Sequence, residues 1–490
     1  MVFSARFALL TVWAVALAAG GCGDCSRKPV PRPDARKMRP AGSVSDAGSP
    51  PAGGRQVVLV VVDALRADRL GCYGYREQPT TPAIDRLASQ GIVFEAAHAA
   101  SPWTGPSFGS LLSGVSPTVH GAGRRTRKDD EGAGRVGSLW MTSISESTPT
   151  LPELIGDLPS AGFATNGFLH PRLGYGRGFD LYDHENGSLN GSRRAGEVTE
   201  LALDWIREHA GGPFFAMIHY LDPHISYDPP GDYRERFAPG DPPGEVEVPF
   251  TDVGRARSGE LDPDEAERRY IIGLYNGEVR YVDDQIGRLV GELGELGLLE
   301  TAWLAVTSDH GEEHFDHGSF EHGHRYEEEV TRVPLVVRPP GGKWRAGARV
   351  PQSVRHVDIP PTVLEWLGVE PPDHFEGASL MPLAGGEQRR DRPAYMEYNL
   401  YWKPRVALFD GRFKLIRDVD GEKSDLFDLR ADPAERRDLG EDHPRFDELA
   451  RALESRREEL EEIASHASGA ESVELPEALE SALRSLGYVE

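Results

Sequence analysis

The chain has 490 residues, 39% of them apolar and 27% charged, a balance typical of globular proteins rather than disordered ones. It holds 54 Lys and Arg against 79 Asp and Glu, a net charge of −25, which repels polyanions and excludes nucleic acid as a partner. Three cysteines cannot form a disulfide framework, and no internal stretch reaches the ~20 apolar residues of a membrane-spanning helix.

The N-terminus has the layout of a secretory signal. Arg6 precedes the apolar run 7–19, and Gly20-Gly21-Cys22 follow it. Small residues before a cysteine resemble the lipobox of bacterial lipoproteins, so residues 1–22 predict export to the periplasm or cell surface with a lipid anchor at Cys22. An ordinary cleaved signal peptide is the alternative. Residues 23–55, rich in Pro, Gly and Ser, predict a flexible tether.

Two apolar runs predict buried strands that end in acidic residues. The aliphatic run 57–62 is followed by Asp63, and the run that begins at Trp303 ends at Asp309-His310. Ligands of open α/β sheets bind outside the carboxyl ends of the strands, so both positions are candidates for metal ligation. Each is weak evidence by itself, because Asp also caps helices.

Residues 101–114 read Ser-Pro-Trp-Thr-Gly-Pro-Ser-Phe-Gly-Ser-Leu-Leu-Ser-Gly. This segment resembles the signature of the sulfatase family of the alkaline phosphatase superfamily, Cys/Ser-x-Pro-Ser-Arg followed four residues later by Thr-Gly. Thr104 stands at the nucleophile position, Pro106 and Ser107 match, and Phe108 replaces the arginine. A hydroxyl at a helix N-terminus lies beside free N–H groups and a partial positive charge, which suit an ester oxyanion. The alternative is that Thr104 simply caps the helix.

The resemblance implies one divalent cation held by Asp63, Thr104, Asp309 and His310. Sulfatases carry Asp-Asn at the last pair, whereas the threonine-nucleophile branches carry Asp-His. Oxygen-rich ligation with one imidazole suits Ca²⁺, Mg²⁺ or Mn²⁺ better than Zn²⁺.

The same resemblance assigns roles to residues of two further segments. His224 and His322 are expected to face the substrate as leaving-group acid or anion contact. Ser107 and His324 are expected to be further anion contacts. His314 precedes His322 in a histidine-rich stretch and is expected to be a solvated loop residue.

The chain departs from the sulfatase pattern at the nucleophile and at two charged positions. Sulfatases oxidise Cys or Ser to formylglycine, but Thr104 cannot form that aldehyde because its Cβ bears a methyl group. Its covalent intermediate must be released by water or another acceptor, which favours phosphoryl transfer on chemical grounds, whereas family membership favours sulfate hydrolysis. Ala64 and Phe108 replace a carboxylate and an arginine, losses that an inactive, exported binding protein would tolerate.

The resemblance implies an α/β fold with a large, mixed, mostly parallel central sheet sandwiched by helices, and a small C-terminal antiparallel sheet. Residues 56–375 are predicted to form the catalytic domain, 376–440 the small subdomain and 441–490 a helical tail. One face of that helix is predicted to carry Phe446, Leu449, Leu453, Leu460 and Ile463.

The predicted function is metal-dependent hydrolysis of a small anionic ester, either a sulfate or a phosphate, through Thr104. A phosphodiesterase or phosphoryl transferase of the same superfamily is the alternative among enzymes, and the inactive binding protein is the alternative outside them.

Overall fold

The computed structural model describes residues 54–123, 140–184, 193–389, 391–467 and 469–474. The signal segment, Cys22 and nearly all of the tether lie outside these residues, so the predictions made for them stay predictions. Among the described residues, no helix combines the length and the apolar character needed to cross a membrane.

The described strands are, in chain order, β1 Gln56–Val62, β2 Ile92–His98, β3 Trp140–Thr142, β4 Ser160–Ala164, β5 Leu181–His184, β6 Phe214–Tyr220, β7 Ala302–Ser308, β8 Glu313–His314, β9 Phe320–Glu321, β10 Arg332–Arg338, β11 Ala348–Arg355, β12 Ala394–Met396, β13 Arg405–Phe409, β14 Phe413–Asp418, β15 Ser424–Asp428 and β16 Ser472–Glu474. The described α-helices are α1 Pro82–Ser89, α2 Thr104–Ser113, α3 Pro117–His120, α4 Leu151–Ile155, α5 Ala195–His209, α6 Tyr233–Phe237, α7 Val253–Ser258, α8 Glu265–Glu295, α9 Glu328–Thr331, α10 Ile359–Trp366, α11 Met381–Ala384 and α12 Phe446–His466.

Eight strands form the central sheet in the order β11-β2-β10-β7-β1-β6-β4-β5. β10 runs antiparallel to both of its neighbours, and the other pairs are parallel. β1 pairs along its whole length with β6 and β7, so that Val62 lies opposite Tyr220 and Ser308. The predicted mixed, mostly parallel sheet is confirmed, and the register brings the residues after β1 and β7 to one edge.

The central strand β1 is buried on both faces. Leu59 and Val61 join a core with residues of α2 and α10. Val58 and Val60 point the other way and join a core with residues of α1, α5 and α8. A strand covered by helices on both sides requires a continuous aliphatic run, which explains the composition of this segment.

The C-terminal region forms a four-stranded antiparallel sheet of β12 to β15, as predicted, and we call it the small sheet. α12 packs on it through Phe446, Leu449, Leu453 and Leu460. Ile463 was predicted on the same face but is 42% exposed, because the packed contact ends before the last turn of the helix. After α12, β16 pairs with β3.

A buried ion-pair network joins the small sheet to the central sheet. Lys414 on β14 is fully buried, with Nζ 2.9 Å from Glu328 and 3.1 Å from Glu435. His98, the last residue of β2, lies 3.1 Å from the same Glu328. Since breaking a buried pair costs about 3–5 kcal/mol, these contacts hold the small sheet in a fixed place.

Candidate active site

Polar side chains from four parallel strands meet at one edge of the central sheet. Asp63 directly follows β1, Asp309 and His310 directly follow β7, His219 is the penultimate residue of β6, and Asn166 lies two residues after β4. Asn166 is 5% exposed and the other four are fully buried. This is the edge at which open α/β sheets bind their ligands.

Thr104 is the first residue of α2 and is 1% exposed. Its Oγ1 lies 3.3 Å from His310 Nε2 and 3.3 Å from Asn166 Nδ2. Gly105 follows it, where a Cβ would lie 2.9 Å from the Trp103 ring, so the helix can begin this close to the ring only with glycine. The structure therefore brings the predicted nucleophile together with the predicted ligand His310.

The four predicted metal ligands lie together. His310 Nε2 is 3.5 Å from Asp63 Oδ1 and 3.5 Å from Asp309 Oδ2. His310 Nδ1 lies 2.8 Å from Gly311 O, so Nδ1 carries the proton and Nε2 is left as an electron-pair donor. Asp63 Oδ1 and Asp309 Oδ2 are buried and make no hydrogen bond. Buried carboxylate oxygens without partners are costly unless a cation binds them, so these residues fit a divalent cation.

His219 is a further candidate metal ligand, which the sequence analysis missed. Its Nε2 is 3.3 Å from Asp63 Oδ2, and ligand atoms of Asp63, His219 and Asp309 all lie within 4.8 Å of one another. Neither ring nitrogen of His219 makes a hydrogen bond. Phe108, at the arginine position of the family signature, packs edge-on against His219 with ring centroids 5.4 Å apart. The available signal was a single imidazole within the otherwise apolar and aromatic strand Phe214–Tyr220.

Asn166 is the second residue that the sequence analysis missed. Its Nδ2 donates to Asp63 Oδ2 at 2.6 Å and to Thr104 Oγ1 at 3.3 Å. Its Oδ1 accepts a hydrogen bond from Phe168 N at 2.9 Å, which fixes the orientation of the amide. The strand-end rule that singled out Asp63 also applies to an amide that follows β4, but the small residues of β4 do not stand out in the sequence as a buried strand.

Ala64, where the family has a second aspartate, shapes the backbone of the site. Its φ is 54°, a left-handed conformation that costs a non-glycine residue about 1 kcal/mol. Ala64 N donates to Asp309 Oδ1 at 3.3 Å, and Ala64 O accepts from Tyr275 Oη at 2.8 Å. These bonds hold the turn that follows Asp63, although the alanine brings no ligand.

The imidazoles of His224 and His322 lie beside His310. The ring centroids of His322 and His310 are 4.2 Å apart, and those of His322 and His224 are 5.0 Å apart. His322 Nδ1 lies 2.8 Å from Glu312 Oε1, and His224 Nδ1 lies 2.7 Å from Ile225 O. These acceptors fix the orientation of the two rings, and an imidazole can exchange a proton near neutral pH.

Burial sets the charge state of the centre. It lowers the pKa of His224, His310 and His322, so the three imidazoles are neutral at pH 7. Burial also raises the pKa of Asp309, and the charge of Asp63 raises it further. Burial opposes the ionisation of Asp63 too, but the neighbouring imidazoles, His224 foremost, attract its carboxylate when they carry a proton, and this outweighs burial and lowers the pKa of Asp63. Asp309 thus gives up its proton most readily when a cation takes the proton's place.

The two predicted anion contacts are engaged by protein groups. Ser107 Oγ donates to Asp309 O at 2.5 Å and lies 3.0 Å from His356 Nδ1. His324 Nε2 lies 3.2 Å from Glu313 Oε2. Both side chains are buried near the site, and their role toward an anion stays a prediction.

The prediction that His314 is a solvated loop residue is wrong. His314 is 4% exposed, because Arg66 Nη1 lies 3.3 Å from its Nδ1 and Tyr227 Oη lies 3.1 Å from its Nε2. Burial and the charge of Arg66 lower the pKa of His314 well below its usual value, so this ring is a neutral packing element.

Comparison with known proteins agrees with this geometry. The sulfatase family model matches residues 55–369, more than half of the chain. A second family model, described as the C-terminal part of N-sulphoglucosamine sulphohydrolase, matches residues 315–463. The two matches together cover the central sheet and the small sheet.

Three known proteins illustrate the similarity. The multifunctional alkaline phosphatase superfamily protein PehA of Trinickia caryophylli is 26% identical over 484 residues, covering 81% of this chain and 93% of PehA. The crystal structure of phosphonate monoester hydrolase of Agrobacterium radiobacter has a TM-score of 0.65 and 22% identity, covering 84% of this chain and 95% of that one. A structure solved in complex with its substrate, D-glucosamine-2-N,6-O-disulfate, has a TM-score of 0.63 and 21% identity, covering 84% and 98%. The two structures share the fold, and the family match is decisive: this chain belongs to the sulfatase family of the alkaline phosphatase superfamily.

Proposed function

We propose that this enzyme hydrolyses sulfate or phosphate monoesters through a covalent intermediate on Thr104. The observation that carries the proposal is the position of Thr104 Oγ1, 3.3 Å from His310 Nε2 and 3.3 Å from Asn166 Nδ2, next to two buried carboxylates. A buried threonine that served only as a helix cap would need none of these neighbours.

A divalent cation fits among Asp63, Asp309, His310 and His219, where buried carboxylate oxygens and ring nitrogens lack hydrogen bonds. Bound there, it would lower the pKa of the Thr104 hydroxyl and offset the negative charge of the ester. Two imidazoles make the donor set richer in nitrogen than the sequence indicated. The preference therefore moves from Ca²⁺ and Mg²⁺ toward Mn²⁺ and Zn²⁺.

The residues of this chain carry out the attack, the stabilisation of the transferred group and the protonation of the alcohol. Thr104 loses its hydroxyl proton to solvent, and its Oγ attacks the sulfur or phosphorus atom. A bond from Oγ to that atom forms while the bond from that atom to the alcohol oxygen breaks. Asn166 Nδ2, already 3.3 Å from Thr104 Oγ1, donates to an oxygen of the transferred group. A bound anion raises the pKa of His224 and His322, so that one of them takes up a proton and can pass it to the departing alcohol. Water then attacks the transferred group and breaks its bond to Oγ. The water gives a proton to the imidazole that protonated the alcohol, and Thr104 Oγ takes up a proton from solvent.

Two observations favour phosphorus as the transferred atom, and two others favour sulfur. Thr104 cannot form formylglycine, and PehA and the Agrobacterium enzyme carry names that refer to phosphatase and phosphonate chemistry. The sulfatase family match and the disulfated sugar of the third relative favour sulfate esters. A phosphodiester is the second candidate substrate, because it carries one negative charge at phosphorus, as does the phosphonate monoester in the name of the Agrobacterium enzyme.

An assay of metal-loaded full-length protein on 4-nitrophenyl sulfate, 4-nitrophenyl phosphate and bis(4-nitrophenyl) phosphate tests the proposal. Thr104→Ala is expected to lower kcat/KM on the preferred ester at least about 1,000-fold, because the covalent route is lost. Thr165→Ala is the matched control, since it also removes one buried hydroxyl, and Thr165 Oγ1 has no hydrogen-bond partner. Equal turnover by Thr104→Ala and Thr165→Ala would rule out the nucleophile.

We also propose that the protein is exported and anchored by lipid at Cys22. The N-terminal pattern of residues 1–22 supports this location. In that setting the tether 23–55 would hold the catalytic part away from the membrane.

A further inference from the structure

The loop of residues 397–403, between β12 and β13, lies beside the start of the nucleophile helix. Tyr398 O accepts hydrogen bonds from Trp103 Nε1 at 2.5 Å and from Ser101 Oγ at 3.2 Å. Trp103 is the N-cap of α2 and immediately precedes Thr104. This end of the loop is therefore fixed to the backbone that carries Thr104.

The same loop is fixed to the segment that carries His322. Gly323 O accepts hydrogen bonds from Leu400 N at 2.6 Å and from Tyr401 N at 3.0 Å. A Cβ on Gly323, whose φ is 84°, would lie 3.3 Å from atoms of both Leu400 and Tyr401, so this close approach favours glycine. The loop thus connects the nucleophile segment with the segment of the substrate-facing histidine, and forms a border of the site.

Trp402 lies at the solvent-facing end of this loop. It is 55% exposed, the highest value among the large apolar side chains that the structure describes. Its ring centroid is 4.3 Å from that of His324, two residues after His322, and 5.4 Å from the Arg325 guanidinium carbon. The indole is held in place by these neighbours and still offers apolar surface to solvent.

The backbone of Trp402 is strained without a gain in burial. Its φ is 63°, a left-handed conformation that a bulky residue rarely adopts. Packing does not offset this strain, because more than half of the side chain faces water. Strained, exposed aromatic residues next to a reaction centre are typical of ligand contacts.

We infer that Trp402 is a binding subsite that selects for a ring in the esterified alcohol. The inference rests on the proposed function. Both a sugar ring and an arene offer a flat face that packs on indole, whereas a short acyclic alcohol does not. Arg325 pairs with Glu313 and Glu327 at 3.0 and 3.4 Å, so the ring face, not free positive charge, provides the recognition.

A comparison of three alcohols bearing the same ester tests the inference. Phenyl, glucosamine-6-yl and ethyl sulfates, and the corresponding phosphates, are assayed with the metal-loaded full-length enzyme. Trp402→Ala is expected to lower the ratio of kcat/KM for a ring ester to that for the ethyl ester roughly tenfold, mainly through KM. Trp402→Phe is expected to keep most of the ratio. Ile463→Ala, which removes another exposed apolar side chain on α12, is expected to leave it unchanged.

A binding measurement separates this role from a general effect on folding or chemistry. In the Thr104→Ala background, Trp402→Ala is expected to raise the Kd of the ring ester by the same factor in calorimetry. If Trp402→Ala lowers kcat/KM for the phenyl ester alone, the ring is an arene. If it lowers kcat/KM for the glucosamine ester alone, the ring is a sugar. Unchanged selectivity, or an equal loss on all three esters, overturns the inference while wild-type turnover still supports the proposed function. Absence of wild-type turnover on every ester contradicts the proposed function and this inference with it.

Discussion

Three residues of the buried centre hold polar atoms that the protein leaves without hydrogen bonds. They are Asp63 Oδ1, Asp309 Oδ2 and both ring nitrogens of His219. Most buried polar groups in folded proteins are paired, so three such residues around one point indicate a cation site more strongly than any one ligand does. Phe108, which stands where the family signature has an arginine, packs against the His219 ring. The aromatic side chain thus fills the arginine position with a contact to a candidate ligand.

Replacing His219 tests whether it contributes a ligand. His219→Asn is expected to weaken Zn²⁺ binding at least about tenfold and Mg²⁺ binding much less, because an imidazole contributes most to the affinity for softer ions. Calorimetric titration of metal-free protein with each ion gives the two affinities. Phe108→Leu is the control, since it removes the aromatic contact and keeps the imidazole. An equal change for both ions would show that His219 only supports the fold around the site.

The sequence predicted Asp63 and Asp309-His310 because each follows a run of residues that predicts a buried strand. It did not single out Asn166, because β4 reads Ser-Ala-Gly-Phe-Ala, a run of mostly small residues that hides the strand. It missed His219 because that residue stands inside a strand instead of after one. Both residues come close to Asp63 only because β6 pairs with β1 and β4. The spacing of residues along the chain does not encode this pairing.

At the scale of elements, the hairpin of β8 and β9 contacts two other parts of the molecule. One is α9, next to the central sheet, and the other is the segment that follows β15 of the small sheet. His317, in the turn of the hairpin, lies 2.5 Å from Glu329 Oε1 through Nδ1 and 3.2 Å from Glu435 O through Nε2. Each acceptor needs an N–H group on the ring nitrogen that faces it. Only the charged imidazolium form carries a proton on both nitrogens. Burial opposes that charge, but Glu329 raises the pKa of His317 to about 9.

The stability that His317 contributes should therefore depend on pH. Its pKa in the folded state lies above the ordinary value, so the contribution is complete below about pH 6.5 and is lost as the pH rises through about 9. We expect His317→Gln to lower the free energy of unfolding by about 2 kcal/mol at pH 6, after allowance for partial exposure, and by much less at pH 10. Urea denaturation of both proteins at the two pH values measures the difference. A gap that is the same at both values would contradict a charged pair.

At the scale of the whole molecule, the small sheet has a part in the active site. The buried Lys414 network fixes it to the central sheet, and its loop 397–403 lies against the segments of Thr104 and His322. The sequence predicted both sheets from strand patterns and family resemblance. It could not predict that the loop and Trp402 reach the site, because that contact depends on the relative placement of the two sheets.

The proposed lipid anchor also belongs to this scale. Full-length protein expressed in a Gram-negative host with labelled palmitate is expected to take up the label and to sediment with membranes. Cys22→Ser is expected to lose both properties, because the thiol that would be acylated is absent. Cys25→Ser, three residues later in the tether, is expected to keep them. Membrane association that persists in Cys22→Ser without label would favour an uncleaved signal segment instead.

The covalent role of Thr104 is the central claim, and mass spectrometry of a quenched reaction tests it most directly. Metal-loaded enzyme is mixed with a saturating aryl ester, quenched with acid within the first turnovers, and digested. We predict a sulfo or phospho group on the peptide that contains Thr104, assigned to that residue by fragmentation and absent from Thr104→Ala. Full turnover with no modified Thr104 under any quench time, or the same group on another residue, would contradict the account.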